Sequence, residues 1–88
     1  MNLHDLNIAV LGAGRSGRAA ARLAMKHGGR ACVFDTSQAI TGWPEDIPLH
    51  AGATQEDGHA FRADLVVISP GIETDCPFVK SFGREGVE

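Results

Sequence analysis

Three nearly continuous apolar runs divide the chain. They are NIAVL (residues 7–11), RACVFD (30–35) and DLVVIS (64–69), and such runs are typical of parallel strands that are covered on both faces. LHAG, at residues 49–52, is compatible with a shorter strand. Because glycine or proline follows the first and last runs, both strands are expected to end sharply. The pattern therefore predicts four strands.

The stretches between these strands change to a helical period. Residues 15–27 are predicted to form a first helix that ends before two glycines, because small and apolar residues recur at helical spacing at Ala19, Ala20, Leu23 and Ala24. Residues 55–62 are predicted to form a short second helix, which Gly58 weakens. Glycine and proline punctuate residues 36–48, which are predicted to be a loop.

The last residues predict a third helix and the start of another strand. Pro77 suits the first turn of a helix, and Gly86 lies just beyond its expected end. The inward face of this helix is predicted to consist of Phe78, Val79 and Phe82. Val87 then begins a strand that the chain does not complete, so we expect residues 1–88 to be an N-terminal piece of a longer protein.

Strands that alternate with helices through short connections imply right-handed crossovers and a parallel sheet. The expected fold is therefore α/β, a Rossmann-like parallel sheet flanked by helices, here as a truncated N-terminal domain. In such a sheet the carboxyl ends of the strands meet at one edge, where ligands bind. Residues that follow strand ends are the first candidates for function.

Composition narrows the class of protein. With 43% hydrophobic, 22% charged and 6% aromatic residues, the 88-residue chain is typical of a globular domain. No apolar run approaches the roughly 18 residues of a membrane span, and Met1 leads into NLHDLN rather than a basic signal segment. We therefore expect a cytoplasmic protein without membrane contact. The spacing of the cysteines and histidines predicts neither a disulfide nor a metal site.

Charge is distributed unevenly along the chain. Residues 1–43 carry a net charge of +3 and residues 44–88 a net charge of −6, which makes −3 in all. Nucleic acid is therefore not an expected partner, whereas a small anion would be attracted to the basic N-terminal half. Arg18, Arg22 and Lys26 are assigned to a solvated face of the first helix. Trp43 is expected to pin its loop to the body, with a stacking platform for a base as the alternative.

Gly12, Gly14 and Gly17 form a GxGxxG motif between the first strand and the first helix. In this position the first glycine permits a tight turn, the second allows close approach of a ligand, and the third lets the helix pack closely on the strand. Free N–H groups at the helix start then face an anion. Arg15 lies at the mouth of this loop, and Ser16 can donate to a phosphate or satisfy the first turn. A tight turn without a ligand is the alternative.

Two further features are expected at the same edge of the sheet. Asp35 ends the second strand, where an acid accepts hydrogen bonds from a ribose or from a base N–H. Its alternative role is to close a turn with Thr36 and Ser37. The sequence SPGI, residues 69–72, follows DLVVIS, and its glycine allows close approach of the backbone to a ligand.

Taken together, VLGAGRSGRAAARLA, VFDT, ADLVVISPGI and the closing GVE resemble the N-terminal domain of the Mur ligases of peptidoglycan synthesis. Within that family the match is to the branch that joins D-glutamate to UDP-N-acetylmuramoyl-L-alanine, since related ligases have different glycine loops and usually lack this pairing of FDT with SPGI. The resemblance covers nearly the whole chain. It implies that residues 1–88 are the UDP-substrate-binding domain of a larger multidomain ligase of cell-wall biogenesis, cell shape and cell division.

The resemblance also implies a role for each matching residue. The loop that meets the UDP diphosphate corresponds to Gly14, Arg15 and Ser16, with Gly12 and Gly17 as structural glycines. The pair near the uridine corresponds to Asp35 and Thr36. The edge beside the nucleotide and muramoyl moiety corresponds to Ser69, Pro70, Gly71 and Ile72. No residue is assigned to catalysis or to a metal. The chain departs from some members in having Ser37 where they have a basic residue, and Arg15 is not a residue that the family requires.

In the family, the complete enzyme uses ATP to convert the substrate carboxylate into an acyl phosphate, which the amine of D-glutamate attacks with the help of Mg²⁺. This chain contains no GxxxxGK[ST] loop and no lysine-centred ATP site. We therefore expect it to be inactive alone and to bind no cofactor. The resemblance implies that ATP, Mg²⁺ and D-glutamate bind to the other domains.

Two other functions fit parts of the sequence. Gly12, Gly14, Gly17 and Asp35 also satisfy the fingerprint of an NAD-dependent oxidoreductase. A nucleotide-sensing module without an enzyme is a third reading. The residues that would follow this segment distinguish the three functions. A GxxxxGK[ST] loop there favours the ligase, a nicotinamide half-site favours the dehydrogenase, and the absence of both favours the sensor.

Overall fold

The computed structural model describes residues 3–68 and 77–82. The strands in these residues are β1 (Asn7–Leu11), β2 (Arg30–Asp35), β3 (Leu49–Ala51) and β4 (Leu65–Ile68). The helices are α1 (Arg15–Lys26), α2 (Gln55–Phe61) and α3 (Pro77–Phe82). The bounds predicted for the four strands and the first two helices agree with these to within one residue, and Pro77 begins α3 as predicted. None of these helices is long and apolar enough to cross a membrane.

The four strands form one parallel sheet in the order β3-β2-β1-β4. The chain therefore moves outward from β1 through β2 to β3 and then returns to the other side of β1. Leu11, the last residue of β1, pairs with Phe34 on one side and with Ile68 on the other. The carboxyl ends of β1, β2 and β4 consequently lie side by side. This arrangement is the Rossmann-like α/β fold that the sequence predicts, and it creates a topological switch point beside β1.

Apolar side chains fill both faces of the sheet. Successive residues of β1 point to opposite faces, so Ile8 and Val10 contribute to one hydrophobic cluster while Ala9 and Leu11 contribute to the other. The first cluster includes buried residues of α1, and the second includes those of α3. All four of these β1 residues have no exposed surface. The central strand is thus fixed from both sides, which gives the loop after it a rigid base.

Helix α1 packs on the sheet through its smallest residues. Its buried positions are Gly17, Ala21 and Ala24, a spacing that brings the helix backbone close to the strands. Leu23 is 51% exposed, although it belongs to the apolar set that predicts the helix. The contact face is therefore rotated from the stripe that the sequence suggests, because small residues allow closer approach than leucine does.

The loop at residues 36–48 lies against the basic side of α1. The guanidinium of Arg18 stacks over the ring of Trp43, 5.5 Å from its centroid, and Arg22 contacts Asp46 at 3.3 Å. Arg22 and Lys26 are exposed, as predicted for a solvated face, whereas Arg18 is half-buried against the loop. Trp43 also donates from Nε1 to the carbonyl of Ile47 at 2.9 Å and packs against the core, which confirms that it pins this loop.

Candidate functional site

The glycine loop and Asp35 meet at the carboxyl edge of the sheet. The loop follows β1 and Asp35 ends the neighbouring strand β2. The N–H of Ala13, inside the loop, donates to Oδ2 of Asp35 at 2.9 Å. Two of the three predicted features are therefore in direct contact. The third, Ser69, Pro70, Gly71 and Ile72, lies outside the described residues, although β4, which precedes it, is the other neighbour of β1.

The three glycines of the loop have different structural needs. Gly12 has a φ of 108°, a conformation that side chains disfavour, and Gly17 is buried in α1. Gly14 has an ordinary extended conformation with a φ of −103°. A Cβ at Gly14 would meet no atom within 4 Å in the described part of the chain beyond its immediate neighbours. Neither backbone geometry nor packing there requires glycine at position 14, so its effect is to leave open space above the loop.

The start of α1 is open to an anion. Gly14 is the N-cap, no side chain among residues 3–68 and 77–82 caps the helix, and its first turn contains no acidic residue. The first N–H groups of a helix have no partner within the helix, and together with the helix dipole they favour negative charge. Arg15 and Ser16, the first two residues of α1, are exposed. The backbone and both side chains are thus available to a phosphate.

The N-terminus of helix α2, unlike that of α1, is capped by a side chain. Thr54 caps it, accepting from the N–H of Asp57, while Asp57 accepts from the N–H of Thr54 at 2.7 Å. Hydrogen bonds from the backbone and side chain of Thr54 hold the pKa of Asp57 below its ordinary value. A reciprocal capping box therefore provides acceptors for N–H groups at the start of α2, whereas the start of α1 has no capping box.

Asp35 has a structural role in addition to any ligand contact. Its Oδ1 accepts from the N–H of Ser37 at 2.9 Å, while Oδ2 accepts from Ala13. The alternative in which Asp35 closes a turn with Ser37 is thus present in the structure. Because each carboxylate oxygen has two lone pairs, both oxygens can still accept a further hydrogen bond from a ligand.

The residues after Asp35 differ in what they offer. Thr36 is exposed, so its side chain is accessible to solvent. The hydroxyl of Ser37 accepts from the N–H of Ala39 at 3.2 Å and so serves the local turn. Within the described residues, no group of three or more His, Cys, Asp or Glu side chains is arranged to hold a metal ion.

The structure adds two features that the sequence interpretation missed. The segment after β3 joins the same edge, because Ala53 donates to the carbonyl of Asp35 and Gly52 to that of Ser37, both at 2.9 Å. Gly52 has a φ of 66°, and a glycine at the end of the predicted strand LHAG was the signal for this turn. The contact of Arg18 with Trp43 had no local signal, and it engages the ring that was the alternative platform for a base.

Comparison with known proteins identifies relatives of this chain. The sequence profile of the family described as Mur ligase MurD-like, N-terminal domain, matches residues 6–88. A UDP-N-acetylmuramoylalanine–D-glutamate ligase from Haemophilus influenzae is 31% identical over 85 residues, covering 93% of this chain. The ligase of the same name from Koribacter versatilis is 34% identical over 94 residues, covering 99% of this chain. The chain spans about a fifth of the length of these curated relatives, 19% and 20% respectively.

A solved structure supports the fold independently. An NADPH-dependent glyoxylate/hydroxypyruvate reductase from Sinorhizobium meliloti superposes with a TM-score of 0.61, covering 85% of this chain and 28% of the reductase. At 19% sequence identity this likeness establishes the α/β fold alone. The family assignment comes from sequence, where the profile match includes the glycine loop and Asp35. The chain therefore belongs to the MurD-like N-terminal domain family of the Mur ligases.

Proposed function

We propose that this domain binds the UDP end of UDP-N-acetylmuramoyl-L-alanine for a ligase that adds D-glutamate to it in peptidoglycan synthesis. The observation that carries the proposal is the meeting of two features at one edge of the sheet. The uncapped start of α1, open above Gly14, suits a diphosphate, and Asp35, 2.9 Å from the adjoining loop, suits a nucleoside. The family match and the relatives that carry the name of this ligase support UDP-N-acetylmuramoyl-L-alanine as the ligand.

In this proposal different residues contact different parts of the nucleotide. Gly14, Arg15 and Ser16 contact the diphosphate through N–H groups, a cation and a hydroxyl. Asp35 accepts from the N–H of uracil, and Thr36 donates to one of its carbonyls. Ser69, Pro70, Gly71 and Ile72 contribute the edge next to the muramoyl moiety. Gly12 and Gly17 shape the loop.

The remaining chemistry of the ligase belongs to other domains in this proposal. The chain has no GxxxxGK[ST] loop, and its described residues hold no carboxylate cluster that suits Mg²⁺. ATP, Mg²⁺ and D-glutamate are therefore assigned to parts of the ligase beyond this domain. By itself the domain is inactive in this proposal, and the ligase works in the cytoplasm. Its contribution is to recognise and orient the substrate.

An NAD-binding domain of an oxidoreductase is the second candidate, favoured by the GxGxxG loop and Asp35. Isothermal titration calorimetry of the 88-residue chain separates the two candidates. UDP and UDP-N-acetylmuramoyl-L-alanine should bind about tenfold or more tightly than NAD or ATP, the difference that one charge-assisted hydrogen bond to the correct base provides. Absolute affinity should be weak, because the other domains of the ligase supply the rest of the contacts. Tighter binding of NAD than of UDP would make the domain a dinucleotide site instead.

A further inference from the structure

Asp35 joins three loops at the carboxyl edge of the sheet. Its side chain accepts from Ala13 in the glycine loop and from Ser37 in the loop that follows β2, each at 2.9 Å. Its backbone carbonyl accepts from Ala53, which follows β3, also at 2.9 Å. The carboxylate is therefore the link between the loop expected to hold phosphate and the loop expected to hold the nucleoside.

The glycine loop needs such a link. Ala13 stands between two glycines, and glycine loses more conformational freedom than any other residue when it is fixed. The N–H of Gly12 bonds the carbonyl of Phe34 at 2.8 Å, and the N–H of Ala13 bonds Asp35. These two bonds tie the loop to β2 just before the start of α1. Removing the second would leave Ala13 and Gly14 with fewer restraints at the point where the anion is expected.

We propose that Asp35 is a positioning residue for the phosphate half of the site, in addition to its contact with the nucleoside. The proposal rests on the proposed function for the identity of the ligand. It holds that the carboxylate fixes the glycine loop through Ala13, and so holds the N–H groups at the start of α1 in the geometry that a diphosphate needs. Both oxygens accept from backbone N–H groups, which offsets part of the negative charge beside the anion.

The Asp35→Ala variant tests this role, because alanine has no side-chain acceptor for either N–H group. The probe is inorganic pyrophosphate, which has neither base nor sugar. If Asp35 acts on the nucleoside alone, removing its negative charge leaves pyrophosphate binding unchanged or makes it tighter. If Asp35 positions the loop, the same substitution weakens pyrophosphate binding by about threefold to tenfold, because binding must then order the loop. The two roles therefore predict different changes in pyrophosphate affinity: a loss if Asp35 positions the loop, and no change or a gain if it does not.

Two controls accompany this variant. Glu45→Gln removes an exposed charge from the loop after β2 and measures the effect of net charge alone. Amide hydrogen exchange of Ala13 and Ser37 reports the hydrogen bonds directly, and protection of both should fall by about tenfold or more in Asp35→Ala. Protection of Val10 and Val33, inside the sheet, should not change, which excludes global unfolding.

The proposal requires both effects. Unchanged protection of Ala13 and Ser37, pyrophosphate binding that is unchanged or tighter in the variant, or no pyrophosphate binding to the natural sequence would each overturn it. The proposed function fails separately. If NAD binds better than UDP while Asp35→Ala still weakens pyrophosphate binding, the positioning role stands and the UDP assignment falls. If the variant weakens UDP binding alone, the UDP assignment stands and the positioning role falls.

Discussion

Replacement of Gly14 by valine should abolish UDP binding and leave the fold intact. A Cβ at this position meets no atom within 4 Å in the described structure beyond its chain neighbours, and the backbone has an ordinary φ of −103°, so we expect the fold to tolerate valine. The same space is where the diphosphate is proposed to approach the start of α1. Displacing the ligand from two N–H groups removes hydrogen bonds worth about 1.5–3 kcal/mol each, which lowers affinity by about a hundredfold or more.

Alanine at the same position provides the matched control. Gly14→Ala, like Gly14→Val, removes glycine from the N-cap, which lowers the free energy of unfolding by about 1 kcal/mol or less. Alanine, however, adds a much smaller side chain than valine. Its UDP affinity should lie between those of the natural protein and Gly14→Val. Calorimetry for binding and urea denaturation for stability separate the two effects. Normal UDP affinity in a folded Gly14→Val protein would show that this loop does not meet the diphosphate.

Replacement of Gly58 by alanine should destabilise the fold, contrary to helix propensity. Gly58 is the buried residue of α2, and alanine favours a helix interior by about 1 kcal/mol over glycine. A methyl group there would, however, overlap the side chain of Ser81 and lie 3.1 Å from Cδ1 of Phe82. Both residues are buried in α3. Forcing the two helices apart costs about 3 kcal/mol, so the expected net loss of unfolding free energy is about 2 kcal/mol.

Two companion variants isolate the cause of this loss. Ala60→Gly, at an exposed position of α2, measures helix propensity alone and should cost about 0.5–1 kcal/mol. Adding Ser81→Ala to Gly58→Ala removes the overlapping hydroxyl and should recover about 1 kcal/mol relative to the sum of the single changes. Urea denaturation gives all four values. Stabilisation by Gly58→Ala would mean that α2 and α3 do not pack as closely as described.

The sequence was sufficient to predict the order of elements and the edge that carries the candidate site. Hydrophobic period and glycine position are local signals, and strand direction then places Gly12 beside Asp35 without further information. The chemistry of Asp35 was open, because an acid at a strand end suits a ligand and a turn equally. The structure shows that its two oxygens already hold Ala13 and Ser37.

What the sequence missed depends on contacts between distant segments. Arg18 and Trp43 come together only because the loop after β2 folds back on α1, and nothing near either residue indicates that approach. The choice of Ala21 over Leu23 for the buried face likewise follows from how closely α1 can lie on the sheet. Tertiary packing, rather than local propensity, decides both.

The central claim is that one edge of the sheet recognises a uridine nucleotide, and NMR titration of the ¹⁵N-labelled 88-residue chain with UDP-N-acetylmuramoyl-L-alanine tests it most directly. The glycine loop alone cannot discriminate, since any diphosphate can use its N–H groups. Chemical shifts should therefore change together at residues 12–17, 35–36 and 69–72, with little response to NAD or ATP. Saturable binding of NAD at the same segments, tighter than that of the UDP ligand, would contradict the account.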